Sequence, residues 1–428
     1  MQEVVRGTAL AFVLKVLGAG LAFGFNVAVA RLLGAEGAGL YFLALSVTAI
    51  GSVIGRVGLD SALLRFVAAH ATQGEWGKVK GVYVLGMQIA VAASGAVTLI
   101  VFLASPWMAV ALFNKPELAD PLRWMSLSIL PFTLLNLQAE SLKGLKSIRD
   151  AMVVQGVGVP LVGLLLIVPL AQSSGVLGIS LAYLTGTSVV AVLGIWAWRR
   201  TVAGHMADSI FFPFKELWTS CRSLFLVSVL NGAILPWTPL FLLGIWELSA
   251  EVGVFGAALR VAILVSFFLV AINNVAAPKF ASLYARGEVE ALGKVARRSA
   301  LFLTILASPV LLTMIFAGGW VMSLYGKGFS EGGVVLAILA FGQIVNAACG
   351  PVGCLLTMSG NEKKLRNGTV ITLVLQLVLC VALIPWFGIE GAAVATTAGV
   401  ISNNLIAVFY VKQTIGIAYP VRFGGYGV

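Results

Sequence analysis

Two basic residues stand deep inside apolar stretches, where a permanent charge is costly. Lys15 lies within residues 8 to 33 and Arg260 within residues 251 to 277, seven and nine residues from the nearest end. At 1.5 Å per residue these depths are about 10 and 13 Å, where a lipid-facing cation costs on the order of 2.5–3.5 kcal/mol. We therefore expect both side chains to face a water-filled cavity, where an arginine fork and a lysine charge suit phosphate or carboxylate oxygens. The alternative is a structural role, with helix carbonyls or polar neighbours such as Asn26 and Asn231 as partners.

Other polar residues and prolines complete the candidate set. Arg56 and Arg123 are nearer to helix ends, so Arg56 could snorkel to an interface and Arg123 could reach the surface or pair with Asp120. Asn26 and Asn231 are candidates to line the cavity, with hydrogen bonding between helices as the alternative. Pro236 and Pro239 remove helix hydrogen bonds, which predicts a bend and a gating element.

The elements that position these residues are membrane spans. Of the 428 residues, 60% are hydrophobic and 11% are charged, which is typical of an integral membrane protein. A helix needs about 20 apolar residues to cross a bilayer, and twelve such runs occur, with no alternating strand pattern. The predicted spans are 8–33, 36–58, 80–104, 119–141, 150–172, 176–198, 217–242, 251–277, 292–318, 331–358, 366–386 and 389–412. The predicted fold class is therefore an all-α integral membrane protein with 12 transmembrane helices.

The distribution of charge predicts the orientation. If the N-terminus is cytoplasmic, 21 Lys and Arg residues fall on that side and three on the other, so both termini are predicted to be cytoplasmic. The net charge of +11 then reflects topology and attraction to membrane lipids, and it does not imply nucleic acid. Segments 59–79, 199–216 and 278–291 are predicted to be loops. The four cysteines lie in apolar runs without metal-ligand spacing, so neither a metal site nor a cofactor is predicted.

The two halves of the chain resemble each other. AEGAGLYFLAL at 35–45 aligns with AEVGVFGAAL at 250–259, and GVLGISLAY at 175–183 aligns with GIEGAAVAT at 388–396. LFNK at 112–115 likewise aligns with LYGK at 324–327. This duplication predicts two six-helix lobes, residues 1–205 and 206–428, related by a pseudo-two-fold axis along the membrane normal and separated by a central cleft. Transport by alternating access is the function that such an architecture favours. Ser46 aligns with Arg260, so only one copy carries the deep charge.

Several loop motifs point to a family. ARLLGAEGAGLYFLALS (30–46), RVGLDSALLRFVA (56–68), PKFASLYARGE (278–288) and SGNEKK (359–364) resemble motifs of the Wzx-type polysaccharide flippases. These belong to the multidrug, oligosaccharidyl-lipid and polysaccharide exporter superfamily. The resemblance implies transport of undecaprenyl-diphosphate-linked oligosaccharide across the bacterial inner membrane for O-antigen, capsule or exopolysaccharide assembly. It also implies a polysaccharide polymerase as a partner, and no catalytic residues.

Two alternatives remain open. A cation-coupled exporter of the MATE branch has a similar length, but such exporters use acidic side chains inside the membrane, and the deep parts of these predicted spans contain no Asp or Glu. A membrane-embedded polymerase or glycosyltransferase needs a large external loop or paired carboxylates near an interface, and the sequence has neither.

Overall fold

The computed structural model describes residues 2–204 and 210–417, with side chains from Val13 onward except Ser223, Leu224, Val227 and Asn274. Both described ranges consist of helices joined by turns, without a strand. The chain divides into two compact units, Met1–Gly253 and Val254–Val428.

The helices of the first unit enclose most of the candidate residues. In chain order they are α1 (Gln2–Arg56), α2 (Leu59–Thr72), α3 (Trp76–Trp107), α4 (Ala119–Ser126), α5 (Ile129–Gly144), α6 (Ile148–Met152), α7 (Gly158–Val202), α8 (Phe214–Val229), α9 (Leu235–Trp246) and the start of α10 (Ser249–Ile263). Three π-helical turns extend or join them, at Met108–Leu112, Val153–Val157 and Leu230–Ile234. The second unit contains the rest of α10, α11 (Ser266–Ala285), α12 (Val289–Phe316), α13 (Gly318–Ser323), α14 (Gly333–Cys349), α15 (Val352–Met358) and α16 (Glu362–Ile415).

Three long helices are each broken by one glycine. Gly34 in α1, Gly175 in α7 and Gly388 in α16 have φ values of 69°, 55° and 54°. Side chains rarely adopt a positive φ, so glycine lets the chain change direction there between two helices. Each of these long helices therefore contains two of the predicted spans.

The predicted spans coincide with helical segments throughout the described chain. Seven helices are long and apolar enough to cross a membrane, and because three of them hold two spans each, they account for ten of the twelve. The fourth span is divided between α4 and α5. The seventh consists of α8, the π-helical turn Leu230–Ile234 and α9. The breaks at Gly34, Gly175 and Gly388 fall in the gaps between predicted spans, whereas the break between α4 and α5 inside the fourth span was not predicted.

Residues 59–72 form a helix, so the loop predicted over 59–79 was wrong. Leu59, Ala62, Leu63 and Val67 of α2 are buried, at the spacing of one helical face. With 14 residues α2 is too short to cross a bilayer, and it therefore escaped a search for spans. Another predicted loop, 278–291, contains the end of α11 and the start of α12.

Each unit has its own hydrophobic core. In the first unit Leu63, Val82, Leu137 and Val190 belong to one buried cluster on α2, α3, α5 and α7. In the second unit the corresponding cluster includes Phe280, Leu292, Leu356 and Val411.

Candidate functional site

Lys15 is held close to the π-helical turn between α6 and α7. A Cβ atom on Gly18 would lie 2.8 Å from the carbonyl oxygen of Gly156, so only glycine permits this approach of α1. The Lys15 side chain is half-buried, and Lys143 of α5 is close enough for its charge to act on it. The Lys15 ammonium has no ion-pair partner among the residues that the structure describes.

Lys143 belongs to a network of polar side chains. Its Nζ donates hydrogen bonds to Glu140 Oε1 and Gln155 Oε1, both at 2.7 Å. Gln155 Nε2 in turn lies 3.4 Å from Asn136 Oδ1 and from Glu140 Oε1. We call these four residues together with Lys15 the α1–α5 polar cluster.

The polar cluster carries a surplus of positive charge. Two ammonium groups face one carboxylate, so the Lys143–Glu140 ion pair leaves the charge of Lys15 uncompensated within the cluster. An anion near the two lysines would relieve their mutual repulsion, and the amides of Asn136 and Gln155 offer donors and acceptors to hydroxyl groups. The cluster therefore suits an anionic ligand that also carries hydroxyls.

The sequence placed Lys15 in an apolar helix but did not identify Lys143 and Glu140 as its neighbours. The predicted fourth span ends at residue 141, so Glu140 fell at its end and Lys143 outside it. Asn136, Glu140 and Lys143 are spaced at i, i+4 and i+7, so they share one face of α5. That spacing could have indicated the polar face, whereas the contact with Lys15 depends on tertiary packing.

Arg260 lies in the second unit, in the last turn of α10. Its Nη1 donates a hydrogen bond to the carbonyl oxygen of Gly256 at 2.8 Å, and its charge acts on Tyr325. A cation at the C-terminus of a helix is favoured by the partial negative charge of the terminal carbonyls. Ser46, the residue aligned with Arg260 in the first repeat, is buried and bonds to the carbonyl of Leu43. That Arg260 and Lys15 face one cavity stays a prediction.

Arg56 and Arg123 each have an identifiable contact. Arg56 Nη1 lies 3.0 Å from Asp60 Oδ1, and both side chains are about one-fifth exposed. Arg123 is exposed, and its guanidinium lies 4.6 Å from the centre of the Phe102 ring. Among the described residues Arg123 forms no ion pair with Asp120. These contacts are those expected of a structural role, and a substrate contact by either arginine stays a prediction.

Asn26 and Asn231 differ in environment. Asn26 is half-buried and donates a hydrogen bond to the carbonyl of Ala22 in its own helix at 2.6 Å. Asn231 is exposed in the π-helical turn Leu230–Ile234.

The seventh span, in which the prolines predict a bend, contains this π-helical turn. Pro236 and Pro239 follow it in the first half of α9, where Pro236 is exposed and Pro239 is buried. Proline lacks an N–H, so it suits the irregular hydrogen bonding beside such a turn. Whether the segment acts as a gate stays a prediction.

Comparisons with known proteins identify relatives. A family profile described as "Polysaccharide biosynthesis protein" matches residues 4–284. The "Probable low-salt glycan biosynthesis flippase Agl15" of Haloferax volcanii is 27% identical over 212 residues, which is 48% of this chain and 45% of that protein. The "Probable flippase AglR" of the same organism is 27% identical over 192 residues, 43% of this chain and 40% of that protein. The chain thus matches less than half the length of either relative.

Solved structures share the fold. An inward-facing multidrug resistance MATE family transporter has a TM-score of 0.77 at 15% identity, over 96% of this chain and 98% of that one. The lipid II flippase MurJ in an inward closed conformation has a TM-score of 0.76 at 15% identity, over 95% and 87%. A transporter from Pyrococcus furiosus, described as having a binding pocket of reverse polarity, has a TM-score of 0.69 at 18% identity, over 96% of each chain. The predicted all-α, twelve-helix fold class is therefore confirmed.

Proposed function

Since the chain belongs to the polysaccharide biosynthesis protein family, we propose that it is a membrane flippase that transfers a lipid-linked glycan between leaflets. The loop motifs predicted membership of a polysaccharide flippase family, and the match to the family profile confirms that resemblance. Two relatives bear the name flippase, and one is named for glycan biosynthesis, which supports the proposal.

The observation that carries the proposal is the surplus positive charge of the α1–α5 polar cluster. A lipid-linked glycan presents a phosphate group next to sugar hydroxyls, and the cluster pairs two ammonium groups with two amides. Phosphate oxygens accept charge-assisted hydrogen bonds from ammonium groups, and amides bond to hydroxyls. In this proposal Lys15 binds the phosphate while Asn136 and Gln155 contact the first sugar.

The finer assignment follows the sequence motifs. We propose undecaprenyl diphosphate as the carrier, the bacterial inner membrane as the location, and cytoplasmic chain termini. The product would enter O-antigen, capsule or exopolysaccharide assembly, with a polysaccharide polymerase as the next protein to act. The chain itself would perform no bond-making step.

The transport cycle in this proposal is alternating access. Lobes 1–205 and 206–428 would rock about a central cleft while the polyprenyl tail stays in lipid. Arg260 would contribute a second phosphate contact from the C-terminal lobe. The π-helical turn before Pro236 and Pro239 would bend as the cleft opens.

A cation-coupled small-molecule exporter is the second candidate, because a multidrug transporter shares the fold at a TM-score of 0.77. Its coupling would require a carboxylate that exchanges a cation. Glu140 is the carboxylate of the polar cluster, and its Oε1 lies 2.7 Å from Lys143 Nζ. The two candidates therefore differ in what Glu140 does.

Reconstituted vesicles test the proposal directly. The measurement is the rate at which a fluorescent polyprenyl-diphosphate oligosaccharide becomes accessible to a quencher on the opposite side. Lys15→Gln removes the uncompensated charge, so we expect flipping to slow by about tenfold or more, the value of one charge-assisted hydrogen bond. Lys146→Gln is the matched control, because Lys146 is an exposed lysine near the same end of α5. Equal rates in both variants and the native protein would refute the role of Lys15.

Glu140→Gln separates the two functions. For a glycan flippase this change raises the positive charge of the cluster, so the substrate concentration at half-maximal rate should fall or stay unchanged. For a cation-coupled exporter it removes the exchanging carboxylate, so transport should stop. Loss of drug efflux in cells together with unchanged glycan flipping would favour the exporter.

A further inference from the structure

A second site lies in the first unit, away from the polar cluster. A groove of about 520 Å³ runs between α3, α5 and α7, within the size range of small-molecule sites. Val84, Met87 and Val91 line it from α3, and Leu134 lines it from α5. Tyr83 and Trp198 stack at 3.9 Å between ring centres along its wall. The groove is therefore mainly apolar.

One end of the groove is positively charged. Lys80 lies near the start of α3 and Arg199 in the last turn of α7, and both line the groove. No carboxylate is present among the described residues that line it. From Lys80 to Val91 the helix rises about 16 Å, which is roughly half of the 30 Å hydrocarbon core of a bilayer. A charged end followed by an apolar wall of this length corresponds to one lipid in one leaflet.

Gln138 also lines the groove, but its amide oxygen packs against α7. Its side chain is buried, with 1% exposure, and a Cβ on Gly194 would collide with its Oε1. Gln138 therefore joins α5 to α7 and closes the inner wall of the groove.

We propose that this groove binds one anionic phospholipid. The lipid phosphate lies between Lys80 and Arg199, and one acyl chain follows Val84, Met87 and Val91. This site is separate from the proposed transport site, and it does not require glycan transport.

Native mass spectrometry of the detergent-purified protein tests the site. The protein is titrated with phosphatidylglycerol and, in parallel, with zwitterionic phosphatidylcholine. The double variant Lys80→Gln/Arg199→Gln should lower the preference for phosphatidylglycerol by about tenfold or more, because it removes both cations next to the lipid phosphate.

The matched control is Lys78→Gln/Arg200→Gln. It removes the same charge from the same two helices, but Lys78 pairs with Glu75 and Arg200 lies over the Trp196 ring. The control should keep the native lipid preference. An equal loss in the control would mean non-specific surface attraction and would overturn the proposal.

A variant that fills the groove makes the test independent of charge. Met87→Trp occupies the acyl path, so we expect weaker binding of phosphatidylglycerol with the cations in place. Unchanged lipid binding in Met87→Trp would contradict the proposal even if the charge variant failed to purify. Displacement of phosphatidylglycerol by polyprenyl diphosphate, with equal loss of both ligands in Lys80→Gln/Arg199→Gln, would assign the groove to the transport substrate and overturn it.

Discussion

Gly39 and Gly253 pack backbone against backbone at matching positions of the two sequence repeats. A Cβ on Gly39 would collide with the carbonyl oxygen of Ser249, and a Cβ on Gly253 would collide with the carbonyl oxygen of Ala35. The contact is reciprocal, as expected when two copies of one ancestral helix meet. Both glycines lie in the aligned segments 35–45 and 250–259, but nothing in the sequence indicated that they touch.

Gly39→Ala and Gly253→Ala should therefore destabilise the protein. In both variants the added methyl group would clash with backbone atoms, which cannot rotate away. The helices must therefore move apart, at a cost of about 1–3 kcal/mol or more. We expect a thermal unfolding midpoint several degrees lower for each variant in detergent. Gly24→Ala is the control, because no atom lies within 4 Å of a Cβ at that helical position. A midpoint equal to that of Gly24→Ala would show that the helices separate freely.

Gly175 and Gly388 test a different cost of replacing glycine. Their backbone angles are nearly identical, with φ and ψ of 55° and −127° at Gly175 and of 54° and −129° at Gly388. A Cβ on Gly175 would meet no atom, so the penalty there is conformational strain alone, about 1–3 kcal/mol. We expect Gly175→Ala and Gly388→Ala to lower the free energy of unfolding by similar amounts. A difference of more than about 2 kcal/mol between them would contradict the equivalence of the two breaks.

The stability of the folded protein should depend on pH through Lys115. It is buried, and its Nζ donates to the carbonyl of Gly244 at 2.6 Å near the end of α9. Burial lowers the pKa of Lys115 below 10.5, against the opposing effect of Glu247 and Glu251. Between the folded-state pKa and 10.5 the unfolded chain binds more protons, so stability contributed by Lys115 rises with pH in that interval.

The comparison is with Lys115→Met, which leaves the Gly244 carbonyl without this donor. We expect the variant to have a lower free energy of unfolding than the native protein at pH 7. The difference between the two should increase as the pH approaches 10.5. Lys327→Met is the control, because Lys327 is the aligned residue of the second repeat and is exposed. If the difference in unfolding free energy decreased with rising pH, the acidic neighbours would be raising the pKa of Lys115 instead.

Arg56 and Asp60 should be coupled in stability. Their ion pair is mostly buried beside the turn at Val57–Gly58. In a double-mutant cycle with Arg56→Met and Asp60→Asn, we expect a coupling energy of about 0.5–1 kcal/mol. Because the pair has a structural role, the double variant should retain most of its glycan flipping. Loss of flipping in a stably folded double variant would indicate that Arg56 contacts the substrate.

Substitution of Arg260 tests whether the second lobe contacts the substrate. Arg260→Ala should slow glycan flipping by about tenfold, with Arg260→Lys intermediate, because lysine keeps the charge but not the two-pronged geometry. The hydrogen bond to Gly256 lies within one helix, so we expect only a small change in the unfolding midpoint. Full transport by both Arg260→Ala and Arg260→Glu would exclude substrate contact.

The helical spans were predictable because each crossing of a bilayer needs a long apolar run, which is visible locally in the sequence. The gaps between predicted spans already contain Gly34, Gly175 and Gly388, but only the backbone angles show that these glycines are the residues that break the helices. Helix α2 was missed because it is amphipathic and lies outside the spans, although its burial pattern is regular.

By itself, the sequence determined the number and positions of the spans, the internal duplication and the family resemblance, because hydrophobic length and motif spacing are local properties. The tertiary structure alone decided which polar groups meet. Lys15 and Lys143 are distant in sequence, and they become neighbours where Gly18 lets the backbone of α1 approach the carbonyl of Gly156. Such contacts depend on the direction in which each helix face points and on the space between packed helices. The hydrophobic pattern of the sequence specifies neither.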